Sequence, residues 1–205
     1  MTTAVLGFAQ AARDLVEDLD VYAYRKQWPK WMCIFTPLVY PTTWPVVHYR
    51  FSHWVWQYVR IPVIRQVLMA VNGVVGRALT MMTGAEIAVQ SSIGPGLFLA
   101  HMGTIIIAMD TKIGAHASIH QEVTFGGAGR NSGCGGFPVL GDDVYVGAGA
   151  KIIGSVRIGN NVMIGCNAVV TRDVPDEATA VGLPARVVNY KGSHGAIHYR
   201  KPSGC

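Results

Sequence analysis

The chain has 205 residues, of which 50% are hydrophobic and 14% charged, with a formal net charge of +5 and a pI near 9.1. This length fits one domain with an extension, and so few charged residues exclude a long charged helical bundle. The positive charge favours an anionic partner, and composition alone does not choose among nucleic acid, a membrane surface and a phosphorylated cofactor. Four separated cysteines exclude a disulfide framework and a zinc site.

The first 82 residues are predicted to form an N-terminal helical segment. Acidic residues from Asp14 onward exclude a secretory signal here, so the cytoplasm is the expected compartment. Apolar residues at helical spacing predict a helix over 3–20. The apolar stretch from Pro45 to Met82 predicts further helix, with Pro62 as a kink or a start. Arginines interrupt it, so no long uncharged stretch spans a bilayer. We favour packing against the rest of the protein or a neighbouring subunit, and peripheral contact with a membrane surface is the alternative.

Aliphatic residues recur every six positions along the second part of the chain. A helix has a period of 3.6 and a half-buried strand a period of 2, so strict sixes match neither alone. They match a coil of short flat faces, one hexapeptide long, that buries its core against neighbouring coils. We therefore predict a mainly β protein, with a parallel β-helix over residues 83–188 and a tail over 189–205. The thirteen in-frame positions are Ile87, Ile93, Leu99, Ile107, Ile113, Ile119, Phe125, Leu140, Val146, Ile152, Ile158, Ile164 and Val170.

The six-residue frame breaks at two places. It slips by two residues between Leu99 and Ile107, and it gains three residues beyond two hexapeptides between Phe125 and Leu140. The second break contains a glycine-rich stretch over residues 126–136. Insertions in repeat proteins form loops, often on the binding face, so both breaks are candidate site positions.

Several motifs occur in an order that resembles the bacterial serine acetyltransferases, over roughly residues 35–188. The resemblance implies a left-handed β-helix with three hexapeptides per coil, acetyl-CoA as cosubstrate, and a homotrimer, with a dimer of trimers as the alternative. It also implies that CoA lies in a groove between two subunits. The segments that carry it are His48–Trp56, Leu79–Ile87, Ile93–His101, Gln121–Gly129, Val146–Ile152 and Val181–Val187.

The same resemblance assigns the catalytic groups. His101, at the first frame break, matches the general base, and histidine suits that role because its pKa lies near the working pH. Glu86 matches the carboxylate that orients the imidazole. Gly126 and Gly127 match the segment beside the thioester, where backbone N–H groups stabilise an oxyanion. His116 and His120 have no matching role, and we interpret them as surface or trimer-interface residues.

The positions that match the CoA site are mostly small residues. Lys151 and Arg186 are the cations expected at the phosphates of the cofactor, although β-helix turns require small residues in any case. No metal ligand set is visible, and no nucleic-acid motif accompanies the positive charge. The predicted CoA contacts are Gly147, Ala148, Gly149, Ala150, Lys151, Pro184, Ala185 and Arg186.

The acceptor pocket departs from the family. Ala100 stands where the relatives have an acid before the catalytic histidine, and Gly136 and Phe137 stand where they have an arginine and a histidine. Those charged groups would hold an amino acid zwitterion. We therefore predict an O-acetyltransferase acting on a sugar hydroxyl of a surface polysaccharide or glycolipid, at the inner face of the membrane. The alternatives are a serine O-acetyltransferase of cysteine biosynthesis and a non-catalytic scaffold, the latter disfavoured because His101 and Glu86 are both present.

Overall fold

A computed structural model describes residues 2–129 and 135–199, with side chains from residue 7 onward. Its first part is helical. The prediction of a helix over 3–20 is confirmed, since the first helix, α1, runs from Thr2 to Arg25 and contains that range. Pro62 starts α4 because its fixed φ and missing N–H suit a first helical turn, and Gly84 follows that helix in a left-handed conformation, with φ of 77°. The helices are α1 Thr2–Arg25, a 3₁₀ helix Lys30–Phe35, α2 Thr36–Val39, α3 Thr43–Tyr58 and α4 Pro62–Thr83.

The second part is a parallel β-helix with three faces. Up to the thirteenth strand, every third strand along the chain joins the same sheet, and the last two strands both extend the third sheet, so the described strands form sheets of five, four and six strands. Pairing in them is parallel except at the end, where β15 runs antiparallel to β14. The strands are β1 Ala85–Ile87, β2 Ser92–Ile93, β3 Phe98–Leu99, β4 Ile105–Ile107, β5 Lys112–Ile113, β6 Ser118–Ile119, β7 Thr124–Gly126, β8 Val139–Leu140, β9 Tyr145–Val146, β10 Lys151–Ile153, β11 Arg157–Ile158, β12 Met163–Ile164, β13 Val169–Val170, β14 Thr179–Val181 and β15 Arg186–Asn189.

The core of the β-helix consists of the predicted in-frame residues. Twelve of the thirteen are buried, and Ile87 is partly buried against the same core. The corners between strands use left-handed backbone at six-residue intervals, as at Asp110, His116 and Glu122. The turns are therefore not restricted to glycine and asparagine, which are the residues that most readily adopt positive φ.

The helical segment is joined to the first coil by a buried ion pair. The guanidinium of Arg50 donates to both carboxylate oxygens of Asp18, over 2.7 and 3.0 Å. It also donates to the carbonyls of Ile93 and Gly94, while Asp18 accepts the backbone N–H of Leu97 at 2.8 Å. One ion pair thus connects α1, α3 and the loop after β2.

Strand β4 provides a matched test of the inward frame. Ile107 is 1% exposed in the core and its neighbour Ile106 is 36% exposed on the outer surface. We expect Ile107→Ala to lower the free energy of unfolding by about 2–5 kcal/mol, through lost burial and a cavity. Ile106→Ala should change it by no more than about 0.5 kcal/mol. Urea unfolding with unchanged slope measures both values, and equal losses would contradict the assignment of faces.

Candidate active site

His101 lies at the corner between the third and first faces of the β-helix. Strand β3 ends at Leu99 and β4 begins at Ile105, so the predicted frame slip is a widened corner over residues 100–104. The backbone N–H of Gly103 donates to the carbonyl of Thr83 at 3.0 Å, which fixes this corner against the end of α4. The side chain of His101 is exposed there and accessible to substrates.

Four further residues, from four separate parts of the chain, lie near His101. The ring of His120 is 6.1 Å from that of His101 and 4.8 Å from that of Tyr145. The guanidinium of Arg25, at the end of α1, lies 3.8 Å from the ring centre of Phe98. We call these five residues the His101 cluster. It combines an accessible imidazole, a second imidazole, a phenol and a fixed cation.

Burial and neighbouring charge control protonation within the His101 cluster. Burial lowers the pKa of His120, and the positive charges of His101 and Arg25 lower it further. Burial raises the pKa of Tyr145, with the Arg25 charge acting in the opposite direction. His120 therefore favours its neutral form and keeps both a hydrogen-bond donor and an acceptor beside His101.

Glu86 lies at the centre of β1 and points away from the core. It is exposed and lines a cleft of about 480 Å³ between β1, α3 and α4, which also contains His48 and Asn72. The Nε2 atom of His48 is 3.0 Å from the carbonyl oxygen of Asn72. Among the hydrogen bonds and ion pairs of the described residues, none joins Glu86 to His101. The catalytic pair therefore remains a prediction.

The predicted oxyanion segment and acceptor position are in contact. A Cβ on Gly127 would lie 3.1 Å from Cε1 of Phe137 and 3.3 Å from the carbonyl oxygen of Gly136. A Cβ on Gly136 would lie only 2.8 Å from Cβ of Ser155, so coil packing disfavours any side chain there. Gly126 ends β7, and residues 130–134 lie outside the described residues.

Ala100 is half-buried, next to His101 in sequence. It packs against an apolar cluster that includes Val21, Tyr22 and Phe98. This places the small residue that replaces the family acid beside the end of α1. Ala100, a predicted acceptor-pocket residue, therefore has apolar neighbours.

The small residues of the predicted CoA site are explained by coil packing. A Cβ on Gly147 would lie 2.7 Å from the backbone nitrogen of Cys166. Gly149 has φ of 76°, and its Cβ would lie 2.0 Å from Oδ1 of Asn167. Ala150 is fully buried and Ala148 half-buried. These residues are required by the fold whether or not they contact CoA.

The predicted cations of the CoA site lie at different places on the β-helix. Lys151, in β10, donates through its Nζ to the carbonyl of Glu122. Arg186 begins β15 and donates to the carbonyl of Ala185, at the exposed end of the molecule beside Pro184. Across the described part of the chain, no three His, Cys, Asp or Glu residues are grouped as metal ligands.

Comparison with known proteins identifies the family. A model described as bacterial transferase hexapeptide (six repeats) matches residues 137–172. A serine acetyltransferase of Synechococcus elongatus is 39% identical over 76% of this chain and 60% of its own length. One of Helicobacter pylori is 42% identical over 56% of this chain and 68% of its own length. The chain belongs to the serine acetyltransferase family.

Solved structures of serine acetyltransferases extend the match to the fold. One in complex with CoA is 28% identical, covers 91% of this chain and 73% of its own, and superposes with a TM-score of 0.72. Soybean serine acetyltransferase complexed with serine is 29% identical, covers 88% and 70%, and also has a TM-score of 0.72. These neighbours confirm the prediction of a left-handed parallel β-helix with an N-terminal helical segment. The chain nevertheless spans only 60% of the length of the Synechococcus serine acetyltransferase.

Three polar members of the His101 cluster, Arg25, His120 and Tyr145, were not predicted from the sequence. Arg25 precedes the region of family resemblance, and nothing in its local sequence indicates contact with Phe98. His120 is interpreted above as a surface or trimer-interface residue, and Tyr145, next to the in-frame Val146, has no role assigned from the sequence. Their one available signal is register, because β3, β6 and β9 are neighbours in one sheet.

Proposed function

We propose that this chain is an acetyl-CoA-dependent O-acetyltransferase whose acceptor is L-serine. The observation that carries the proposal is the accessible His101 at the widened corner, in a chain 39% identical to a serine acetyltransferase. His101 takes the proton of the acceptor hydroxyl while its oxygen attacks the thioester carbonyl. The C–S bond then breaks, and the imidazolium returns the proton to the departing CoA thiolate.

The relatives reverse the order of the two acceptor hypotheses from the sequence. The sugar hypothesis depended on missing charges at Ala100, Gly136 and Phe137. Arg25 supplies a cation beside His120 from a different element, and the face of Phe98 holds it in place. An arginine guanidinium binds a carboxylate through paired hydrogen bonds, so we assign Arg25 to the carboxylate of serine.

A sugar hydroxyl remains the second candidate acceptor. The observation that favours it is the contact of Phe137 with Gly127, which puts an aromatic ring beside the predicted oxyanion segment. No charged side chain occupies this position to bind an amino group. Transfer to a sugar uses the same proton path through His101 and differs only in the pocket.

The assembly and location belong to the same proposal. We infer a homotrimer, with a dimer of trimers as the alternative, in which CoA lies between subunits and Lys151 and Arg186 meet its phosphates. The cytoplasm is the proposed location. Sedimentation of the purified chain at several concentrations distinguishes the two assemblies.

Release of CoA from acetyl-CoA tests the acceptor, with L-serine in one reaction and sugars or nucleotide sugars in others. We expect turnover with serine, and we expect Arg25→Ala to raise KM for serine at least about tenfold with little change in kcat, because it removes a binding contact. Arg25→Lys keeps the charge without the planar fork and should recover part of the affinity. Lys26→Ala is the matched control, since Lys26 is an exposed neighbouring cation.

Each remaining outcome selects another hypothesis. Turnover with a sugar and none with serine would overturn the proposed acceptor. Absence of turnover, with no rise in melting temperature on adding acetyl-CoA, would indicate a scaffold, because any ligand of the folded state raises that temperature.

A further inference from the structure

The outward face of α4 is apolar along its whole length. Val63, Val74 and Met81 on this face are 70%, 72% and 85% exposed. At 1.5 Å per residue, the 22 residues of α4 extend for about 33 Å. The residues of this α4 face are Val63, Ile64, Val67, Val71, Val74, Val75, Met81 and Met82.

The inward face of α4 is the more polar one. The buried residues of this helix are Asn72 and Thr83. Gly76 also lies inward, where a Cβ would be 2.9 Å from Cε1 of His48. A helix of a soluble domain normally shows the opposite arrangement, with its apolar stripe toward the core. A contiguous exposed apolar surface of this kind marks a contact with another molecule or a membrane.

The charged residues of α4 and of the segment before it, back to residue 21, are all basic. No acidic residue occurs between Asp20 and Glu86, while seven lysines and arginines occur in that interval. Arg60 and Arg77 are exposed at the start of α4 and within it. Arg65 lies over the ring of Trp56, with 4.4 Å from its guanidinium carbon to the ring centre. The surface therefore combines apolar, aromatic and basic side chains, and Glu86 lines the same cleft as Arg77.

We propose that the α4 face docks on an anionic phospholipid surface, with the helix lying in the plane of the membrane. Acyl chains cover the valines and methionines, while lipid phosphates pair with Arg60 and Arg77. A second copy of this chain is the rival occupant, and in a rotationally symmetric trimer it would present a different surface to the α4 face. Within the described residues, no helix is long and apolar enough to cross a membrane, so the contact is a surface one.

Flotation of the full chain with lipid vesicles tests this docking. We expect the protein to float with vesicles of phosphatidylcholine and phosphatidylglycerol, to stay behind with phosphatidylcholine alone, and to dissociate as salt rises. Val67→Glu combined with Val74→Glu should lower the bound fraction at least about tenfold, by removing apolar contact and adding repulsion. Val188→Glu is the matched control, because Val188 is 55% exposed and Val67 57%, and Val188 lies at the other end of the chain in β15.

The outcomes separate this proposal from its rivals. If the wild-type chain does not float, and the Val67/Val74 variant sediments as a smaller assembly, the α4 face contacts another copy and the proposal is wrong. Equal loss of flotation in the Val188→Glu control would also overturn it. Acetyl transfer measured in solution on the same samples reports separately on the proposed function. A failure of flotation therefore does not affect the test of acetyl transfer, and a failure of acetyl transfer does not affect the test of docking.

Discussion

Replacing His101 with alanine is expected to lower kcat for acetyl transfer to serine by about 10²–10⁴-fold, the contribution of a positioned general base. Acetyl-CoA should still raise the melting temperature, because His101 does not hold the nucleotide. CoA release under saturating acetyl-CoA measures the loss.

Two further variants, one of a histidine and one of a carboxylate, test the assignment of the base. His194→Ala is the control, because this exposed histidine pairs with Glu177 far from the corner, and we expect its activity to match the wild type. Glu86→Gln tests the predicted catalytic pair and should lower kcat if the two groups meet in the working assembly. A His101→Ala enzyme that retains most of its kcat would contradict the assignment of the base.

The period of six made the β-helix predictable. A hexapeptide frame is local, so each in-frame residue is assigned from its neighbours alone, and twelve of the thirteen are buried as expected. The frame slip after Leu99 likewise located the corner that carries His101. These features repeat along the chain and need no knowledge of distant contacts.

The parts that escaped prediction depend on distant contacts. Arg25 contacts Phe98 only because α1 packs against the first coil. No residue spacing in the sequence predicts that packing. The absence of a side chain at Gly136 was interpreted as a loss of substrate-binding charge, whereas its packing against Ser155 from a later coil supplies a structural reason. The apolar stretch of α4 was assigned mainly to packing, because composition alone does not indicate which face of a helix turns outward.

Breaking the Asp18–Arg50 pair should give the largest change in stability outside the core. Asp18→Ala removes the carboxylate that is hydrogen-bonded to the buried guanidinium and leaves only Asp14, at 3.9 Å, as an ion-pair partner among the described residues. Breaking a buried pair by removing one partner costs about 3–5 kcal/mol, and Asp14 should place the loss toward the lower end. For a chain of this size we expect the melting temperature to fall by about 10 °C. Glu177→Ala, which breaks the exposed pair with His194, should cost less than about 1 kcal/mol and serves as the control.

The double replacement Asp18→Leu with Arg50→Met distinguishes the contribution of the buried charges to stability from the contribution of side-chain packing. It leaves no buried charge and should recover part of the lost stability. The recovery stays incomplete because Arg50 also donates to the carbonyls of Ile93 and Gly94. Since the pair holds α1 on the first coil, Asp18→Ala should also raise KM for serine by displacing Arg25. The double variant should lower KM again in proportion to the stability that it recovers. A loss of stability with unchanged KM would show that Arg25 is placed by Phe98 alone.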